Sequence, residues 1–435
     1  MSDLPSGWAW TTLGDVSRKP QYGWTSKSNP ESAGLPYLRT TDITKGPIDW
    51  GQVPKCVETP ADLHRFLLQP GDIVVSRAGS VGVSALIQRP PPAIFASYLI
   101  RLQVIAPMSA AYVAHFLQSS GYWRQVSDAK VGIAVQNVSA KKLAAIALPV
   151  PPLAEQERIV AAIEEHFSHL DAADASLRSA ETRLGLVTSR AVDVAFLSLD
   201  KRVPVGEIAD VRGGIQKQPK RKPKDNAAPF LRVANVGHGR MDLRDVHEIE
   251  LFDGELERCR LQAGDLLVVE GNGSPDQIGR SAVWQGEIDD CVHQNHLIRV
   301  RPGPQLDPEF LGLYWNAPST RAQLTAVASS TSGLHTLSTA KVKRIEVPAA
   351  PIDRQKAIVA HLTVQIAAFA RLRASLRLAT ERQSNLRHAI LAAAFSGKLV
   401  PQDPDDEPAS VLLDRIREER AAATPKKRAR SAAAT

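Results

Sequence analysis

The 435-residue sequence is poor in cysteine and has no long apolar run, and each shortage excludes a class of protein. Its three cysteines, Cys56, Cys259 and Cys291, are far apart and odd in number, so we expect a reducing cytoplasm and no disulfide framework. The first ten residues, MSDLPSGWAW, lack a basic segment followed by an apolar one, which predicts no signal peptide. No stretch of about 18 apolar residues is evident, so we expect a soluble protein that does not contact a membrane.

Catalytic motifs are missing as well. Amino methyltransferases need an Asn/Asp-Pro-Pro-aromatic loop for the flipped base, and the nearest segments, NPES at Asn29 and DPDD at Asp403, lack the paired prolines and the aromatic residue. No GxxxxGK[ST] loop occurs, and GNGS at 271–274 lacks the spacing of a dinucleotide fingerprint. CVHQNH at 291–296 has no second ligand pair at zinc spacing. We therefore expect no catalytic residue, metal or cofactor on this chain.

Length and charge leave the class of partner open. A chain of 435 residues exceeds what one core usually holds, so two or more domains are expected. Hydrophobic residues make up 43% and charged residues 23%, which is ordinary for a globular protein. The net charge of +7 permits a nucleic-acid partner without requiring one.

An internal repeat runs through the chain. PVPPLAEQERIVAAI at 149–163 returns as PAAPIDRQKAIVAHL at 348–362, an offset of 199 residues. Further echoes, at offsets from 192 upward, pair LGDV at 13–16 with VGEI at 205–208, PYLRTTDI at 36–43 with PFLRVANV at 229–236, LQPGDIVV at 68–75 with LQAGDLLV at 261–268, VGVSALIQ at 81–88 with IGRSAVWQ at 278–285, and SYLIRLQV at 97–104 with NHLIRVRP at 295–302. Two degenerate halves of this length indicate a duplicated domain-plus-helix unit rather than a solenoid.

Each half combines short strands with one long helix. Runs such as DIVVS and DLLVVE, bounded by Gly, Pro, Asp or Asn, predict strands, and short helices are expected near 110–118 and 308–316. The predicted fold is mixed α/β (α+β). The predicted boundaries are a first domain at 1–150, a central helix at 151–199, a second domain at 200–350, a C-terminal helix at 351–398, and a partly disordered tail at 399–435.

The two long helices carry complementary patterns. From Phe167 and from Ile366, apolar residues recur at alternating steps of three and four, which predicts a heptad seam broken only by Gln383. Each helix would reach roughly 60 Å. The first carries eight acids against four arginines, and the second carries eight Lys or Arg against one Glu. We predict that the helices pair as an antiparallel coiled coil, giving an internal pseudo-two-fold repeat, although such charges could simply be solvated.

The order domain–helix–domain–helix resembles the specificity subunit of type I restriction–modification systems. The resemblance covers nearly the whole chain and is strongest in LPVPPLAEQERIV at 148–160, its echo at 347–359, and LRHAILAAAFSGKLVPQDPDDEPASVLLDRIREER at 386–420. It implies two target recognition domains that read a bipartite, asymmetric site in double-stranded DNA, with the helices as a ruler. It also implies two modification subunits that hold S-adenosylmethionine and methylate adenine, and restriction subunits bound through them. The residues expected in subunit docking are Gln156, Ile159, Ile163, Gln355, Ile358 and Leu362.

Loops between the strands supply the candidate DNA contacts. Base reading needs donors and acceptors on exposed loops, and phosphate binding needs Lys, Arg and backbone N–H groups. In the first domain the candidates are Tyr22, Trp24, Arg39, Thr40, Ser76, Arg77, Gly79, Gln136 and Asn137. In the second domain they are Lys217, Lys220, Arg221, Arg232, Asn235, His238, Glu270, Asn272, Gly273, Arg280 and His335. Each loop could instead be only a turn, and the basic run at 217–224 could be only solvated.

Two other functions remain open on the sequence alone. A stand-alone DNA methyltransferase or nuclease would act without partners, which the missing motifs disfavour. A coiled-coil scaffold with two protein-binding heads would bind no DNA, and salt-dependent DNA affinity separates it from a DNA reader.

Overall fold

The computed structural model describes residues 4–44, 46–129, 137–271, 277–328 and 336–422. The chain divides into two compact units. Unit 1 combines Met1–Ser176 with Ala379–Thr435, and unit 2 is Leu177–Leu378. Each unit therefore contains one globular domain and a part of both long helices.

Unit 1 begins with a strand-rich domain. Its strands are β1 (Ala9–Thr12), β2 (Gln21–Tyr22), β3 (Ser28–Asn29), β4 (Tyr37–Leu38), β5 (Lys55–Cys56), β6 (Asp72–Ser76), β7 (Ser84–Leu86), β8 (Ile94–Phe95), β9 (Leu99–Gln103) and β10 (Ala147–Val150). Its short helices are α1 (Thr40–Ile43), α2 (Ala110–Phe116), α3 (Ser120–Ala129) and α4 (Ala140–Ala144). The main sheet has the order β2-β9-β6-β7 and is antiparallel, β4 pairs with β8 in parallel, and β1 pairs with β10. The helix α5 (Leu153–Leu197) follows.

Unit 2 repeats this plan. Its strands are β11 (Arg202–Pro204), β12 (Ala209–Gly213), β13 (Ala227–Leu231), β14 (His247–Glu250), β15 (Leu266–Val269), β16 (Ser281–Val283), β17 (Val292–His293), β18 (Leu297–Pro302) and β19 (Glu346–Pro348). Its helices are α6 (Val205–Ile208), α7 (Glu255–Cys259), α8 (Pro308–Trp315), α9 (Pro318–Ala328) and α10 (Thr339–Lys343), with 3₁₀ turns at Pro219–Arg221 and Val233–Asn235. The chain continues into α11 (Ile352–Ala394) and α12 (Ala409–Ala422).

The repeat predicted from the sequence is present in the sheets. The order β12-β18-β15-β16 in unit 2 corresponds strand by strand to β2-β9-β6-β7 in unit 1, and the parallel pair β13–β17 corresponds to β4–β8. The strand formed by DIVVS is fully buried, as is the one formed by LLVV. The predicted mixed α/β fold with two similar domains is confirmed.

A buried aspartate at equivalent positions, Asp72 and Asp265, forms an ion pair with an arginine in each main sheet. In unit 1, Arg101 lies 3.3 Å from Asp72, and both side chains are buried. In unit 2, Arg301 lies 2.7 Å from Asp265, which is also buried. Each aspartate also accepts from a backbone N–H in the turn before the strand, Asp72 from Gln69 and Asp265 from Gln262. The two domains thus share this buried aspartate as well as their strand order, while the arginine that pairs with it comes from a different position, since Arg301 aligns with Gln103 rather than with Arg101.

Buried glutamines explain why the chain enters a long helix twice with the same motif. In unit 1 the amide of Gln156 accepts from Ser109 N at 3.2 Å and donates to Pro151 O. In unit 2 the amide of Gln355 accepts from Asp307 N at 2.8 Å and donates to Gln305 O and Ala350 O. Ser109 and Asp307 are the N-cap residues of α2 and α8. Each glutamine therefore fastens the first turn of a long helix to its own domain.

Replacing Gln355 by alanine is expected to lower the free energy of unfolding of unit 2 by about 1–3 kcal/mol, because a buried N–H and two carbonyl groups lose their partner. Hydrogen exchange of peptides from 300–360 measures the change. Lys356→Ala is the control, since Lys356 is exposed in the same helical turn. Equal losses in the two variants would contradict a fastening role for Gln355.

The long helices pair antiparallel. In unit 1, Gln383 Nε2 donates to Leu170 O, Arg387 forms an ion pair with Asp171, and its guanidinium lies 5.0 Å from the ring centre of Phe167. Positions 167–171 of α5 thus run opposite to 383–387 of α11. In unit 2, Phe196 near the end of α5 shares one core with Leu362 near the start of α11. The predicted antiparallel coiled coil and the pairing of acidic with basic helix are consistent with these contacts.

Several buried positions on the long helices keep the predicted heptad spacing. Ile163, Leu170 and Leu184 on α5 are buried, as are Leu362, Gln383 and Ile390 on α11, and within each helix they are separated by multiples of seven residues. Two other predicted seam residues of α5, Val187 and Val194, are about half exposed. Only part of the predicted seam is therefore buried.

Residues 399–422, the first part of the tail that was predicted to be partly disordered, pack on unit 1. The helix α12 lies within them, and Ala409, Leu412, Leu413 and Ile416 are buried in the core of unit 1. Arg158 of α5 forms an ion pair of 2.6 Å with Asp406, just before this helix. The C-terminal segment thus completes the first domain, because these apolar side chains would otherwise be exposed to water. Residues 423–435, the end of the predicted tail, lie outside the described residues.

One helix of the described chain meets a simple test for crossing a membrane. An 18-residue window of α11 reaches a mean hydropathy of 1.2, and 6% of that window is buried. The expectation made from the sequence concerned a continuous run of about 18 apolar residues, and polar residues interrupt α11 throughout. A single helix that passes on length and composition is weak evidence for a membrane span.

Candidate nucleic-acid interface

The end of β6 presents a guanidinium whose direction is fixed. Arg77 lies with its guanidinium carbon 4.7 Å from the ring centre of Tyr22, and its Nε donates to Asn137 Oδ1 at 3.3 Å. The hydroxyl of Tyr22 accepts from Ala140 N at 2.9 Å, which fixes the ring in turn. We call Tyr22, Arg77 and Asn137 the Arg77 cluster. It unites three predicted residues that are far apart in the sequence.

The backbone around this cluster is also held. Arg77 N donates to Tyr98 O at 2.9 Å, and Val138 N donates to Arg77 O at 3.2 Å. Tyr98 itself is 62% exposed. Gly79, two residues on, has φ +76°, a backbone conformation that a side chain would strain. The cluster therefore lies on a rigid, exposed edge of the first domain.

The other predicted residues of the first domain stabilise its loops. Trp24 donates from Nε1 to Glu58 O and packs edge-on against Phe66. Arg39 forms a pair of hydrogen bonds with Asp42, and these raise the pKa of the Arg39 guanidinium. The buried Ser76 hydroxyl donates to Ala78 O and lies 3.4 Å from the hydroxyl of Thr40. Gln136 lies outside the described residues.

In unit 2 the position equivalent to Arg77 carries an acid. Glu270 N donates to His296 O at 3.0 Å, and Leu337 N donates to Glu270 O at 2.6 Å, the same two backbone contacts that fix Arg77. The Glu270 carboxylate lies 3.1 Å from His296 Nδ1, and the two side chains are 30% and 56% exposed. We call Glu270 and His296 the Glu270 pair. Asn272, Gly273 and His335, predicted nearby in sequence, lie outside the described residues.

The basic run at 217–224 divides into a buried anchor and exposed lysines. Arg221 donates to both carboxylate oxygens of Glu255 at 2.6 and 2.8 Å and lies over the ring of Phe252 at 4.2 Å. These hydrogen bonds lower the pKa of Glu255. Lys217 and Lys220 are exposed beside this anchor. The segment therefore offers positive charge on a fixed support.

The remaining candidates in the second domain are mostly engaged within it. Asn235 is buried and accepts from Arg232 N, as Asp42 does from Arg39 N in the first domain. Arg232 pairs with Asp245 at 2.7 Å and lowers the pKa of that carboxyl. Arg280 donates to Val233 O and Gln277 Oε1, and burial lowers its pKa. The pKa of His238 is lowered by partial burial and then by Arg321 and Arg280.

The residues predicted to dock other subunits face their own domains instead. Gln156, Ile159, Ile163, Gln355 and Leu362 are buried, and Ile358 is half-buried. They lie in the first turns of α5 and α11, which each domain covers. Large exposed apolar side chains occur farther along, on α5 at Leu186, Val187, Val194 and Leu197, and on α11 at Val364, Leu372, Leu378 and Leu386.

The residues in CVHQNH are separated by their surroundings. Cys291 and His293 are buried, and burial lowers the pKa of His293 to about 3 and raises that of Cys291 to about 12. His296 turns to Glu270. Within the described ranges no group of three or more His, Cys, Asp or Glu is placed to hold a metal.

Sequence reasoning left Tyr98 and His296 out of the candidate sets. Both flank the same position, one in each half, and both belong to the echo SYLIRLQV and NHLIRVRP. Aligning the halves at the residue that follows DIVVS and DLLVV would have identified them.

The two similar domains and two long helices define a class of protein with a duplicated recognition fold, and comparison shows which family it resembles. Residues 5–175 match the family model described as the type I restriction modification DNA specificity domain. The chain is therefore similar to the specificity subunits of type I restriction–modification systems, as its resemblance predicted.

Relatives of this family match the chain from end to end. The EcoKI specificity subunit of Escherichia coli strain K12 is 27% identical over 98% of both chains. The StySPI specificity subunit of Salmonella potsdam is 26% identical over 99% of both chains.

Solved structures show the same fold. A chain from a type I restriction–modification assembly matches with a TM-score of 0.72 and 21% identity, covering 92% of this chain and 100% of that one. The HsdS subunit from Thermoanaerobacter tengcongensis matches with a TM-score of 0.55 and 20% identity, covering 91% of this chain and 98% of that one.

Proposed function

We propose that this chain reads a bipartite, asymmetric site in double-stranded DNA, with one half-site for each globular domain. The observation that carries the proposal is the shared position at Arg77 and Glu270. The same backbone contacts present a guanidinium in one domain and a carboxylate in the other. Two domains of one design with different side chains at an exposed edge are suited to two different half-sites.

The long helices set the separation of the half-sites in this proposal. The helix α5 has 45 residues and is continuous from unit 1 into unit 2, and α11 has 43 residues and returns from unit 2 to unit 1. At 1.5 Å per residue each spans roughly 65 Å. Their pairing resists bending, which suits a fixed spacer.

The same helices dock two modification subunits. The exposed apolar residues of α5 and α11 named above, rather than Gln156, Ile159, Ile163, Gln355, Ile358 and Leu362, form the docking surface. Such side chains are costly to leave in water and favour a protein partner. The modification subunits hold S-adenosylmethionine and methylate adenine, restriction subunits bind through them, and the complex works in the cytoplasm. This chain supplies no catalytic group and no cofactor.

The test is to co-express the chain with its modification subunit and to map methylated adenines across a genome. The expected result is one motif with two unequal half-sites and a constant spacer. If the chain shows no salt-dependent affinity for DNA even with the modification subunit present, it is instead a protein scaffold. Methylation or cleavage by the purified chain alone would favour a stand-alone enzyme.

Replacing Lys217, Lys220 and Lys222 together by glutamine is expected to weaken DNA binding without changing the motif. Lysines that bind phosphate add affinity but carry no sequence information. The slope of log K against log salt should become shallower by about 0.9 for each phosphate that is no longer neutralised. Fluorescence anisotropy of the assembled complex between about 50 and 200 mM salt measures this slope.

The control for this triple variant removes the same charge elsewhere in unit 2. Lys201, Lys343 and Arg344 are exposed outside the long helices, and their replacement by glutamine should leave the salt slope unchanged. An unchanged slope in the lysine variant would remove the basic run from the interface.

A further inference from the structure

The position shared by Arg77 and Glu270 is built to read bases rather than phosphates. In both domains this residue follows the central strand of the main sheet, β6 or β15. Its N–H and C=O are held by equivalent backbone partners in the two domains. The backbone position of this residue is therefore the same in both domains, whereas the side chain that it carries differs. A carboxylate at this position is repelled by phosphate, so phosphate binding is not the purpose that the two domains share.

The Arg77 guanidinium is positioned to donate two hydrogen bonds to a planar ligand with two acceptors. Its guanidinium carbon lies 4.7 Å from the ring centre of Tyr22, and its Nε donates to Asn137 Oδ1, so two contacts restrain the side chain. Among the described residues the two terminal nitrogens have no hydrogen-bond partner, so they remain available as a fork. A fork of this kind fits O6 and N7 of guanine in the major groove.

The Glu270 carboxylate is positioned to accept a hydrogen bond from a ligand. One oxygen lies against His296 Nδ1, and the side chain stays 30% exposed. His296 N–H would orient that oxygen and leave the other free to accept. The pairing that an acidic side chain makes with base edges is acceptance from the N4 amino group of cytosine.

We propose that Arg77 reads a guanine in one half-site and that Glu270, positioned by His296, reads a cytosine in the other. This inference rests on the proposed function and makes it specific. The two residues occupy the same place in the repeat and differ in charge, which makes the target asymmetric. Tyr22 and Asn137 are positioning residues for Arg77.

The experiment compares methylation motifs of complexes assembled with the modification subunit and full-length chain, either unchanged or carrying Arg77→Gln or Glu270→Gln. Arg77→Gln is expected to abolish the guanine preference at one position of one half-site, at a cost of roughly 5- to 150-fold in affinity for the original site. The other half-site keeps its sequence. Glu270→Gln is expected to relax one position of the other half-site only.

Matched controls remove the same charge at the far end of each hairpin. Arg89 follows β7 and Glu287 follows β16, and both are exposed. Arg89→Gln and Glu287→Gln should leave the motif and affinity unchanged. Arg77→Lys keeps the charge but loses the fork, so it should relax the motif as Arg77→Gln does even if the glutamine variant folds poorly.

The outcomes separate the inference from the function on which it rests. If the unchanged complex methylates no defined motif, the proposed function fails. If it has a motif and Arg77→Gln and Arg77→Lys leave every position intact, the reading role of Arg77 is overturned. An affinity loss that is uniform across sequences, with a smaller salt slope, would mean that Arg77 binds phosphate and would likewise overturn it. If Glu270→Gln leaves every position of the motif intact, the reading role of Glu270 is overturned.

Discussion

Inserting four residues into each long helix is expected to lengthen the spacer of the DNA motif by about one to two base pairs and to leave both half-sites unchanged. Four residues add about 6 Å along a helix, and one base pair rises about 3.4 Å. The insertions belong after Ser176 in α5 and after Leu378 in α11, where the two units meet in the chain. The packing within each unit is then preserved. Mapping of methylated adenines in cells reads the spacer directly.

The control places four residues in α5 alone. Only one helix is then longer. The helices can no longer keep both the pairing of Gln383 with Leu170 and of Arg387 with Asp171 in unit 1 and their contacts in unit 2. We expect this variant to lose assembly with the modification subunit rather than to acquire a new spacer. An unchanged spacer in the double insertion would show that the helices are not the ruler.

Replacing Asp72 by alanine is expected to lower the stability of unit 1 by about 3–5 kcal/mol, because it leaves the buried Arg101 without its counter-charge. The side chain of Asp72 also accepts from Gln69 N and from Gln103 Nε2, and these donors would be stranded too. A chain with two units is not expected to unfold in one step. Hydrogen exchange of peptides from 67–103 therefore measures the loss.

The equivalent variant in the other domain serves as the control. Asp265→Ala removes the partner of Arg301 and should reduce protection in peptides from 260–302 while leaving 67–103 unchanged. Asp72→Ala should show the opposite pattern. A destabilisation of 67–103 below about 1 kcal/mol would mean that Arg101 finds enough other partners, such as Leu67 O and Gln21 Oε1, to stay stable without the aspartate.

Much of the fold was predictable because its signals are local or repeated. The prolines that precede α5 and α11 stop a strand and suit a helix start, so both helix entrances could be located from the sequence. The echo of LQPGDIVV in LQAGDLLV placed β6 and β15 at equivalent positions. The residues predicted to dock other subunits are mostly buried against their own domains for a related reason. Gln156 and Gln355 recur because each domain needs a fastening, and a recurring motif does not reveal which of its faces is covered.

The sequence by itself determined the duplication, the strand and helix pattern, and the resemblance to a family, since these depend on residue order and spacing. The tertiary structure alone decided which polar side chains remain available. Arg221 and Glu255 are 34 residues apart, and Arg77 and Asn137 are 60 apart. The ion pair with Glu255 buries the Arg221 guanidinium, which the sequence suggested was exposed. The hydrogen bond with Asn137 fixes the direction of the Arg77 guanidinium, which the sequence does not specify. The physical reason is that hydrogen bonding and burial depend on neighbours in space, which the spacing of a loop sequence does not specify.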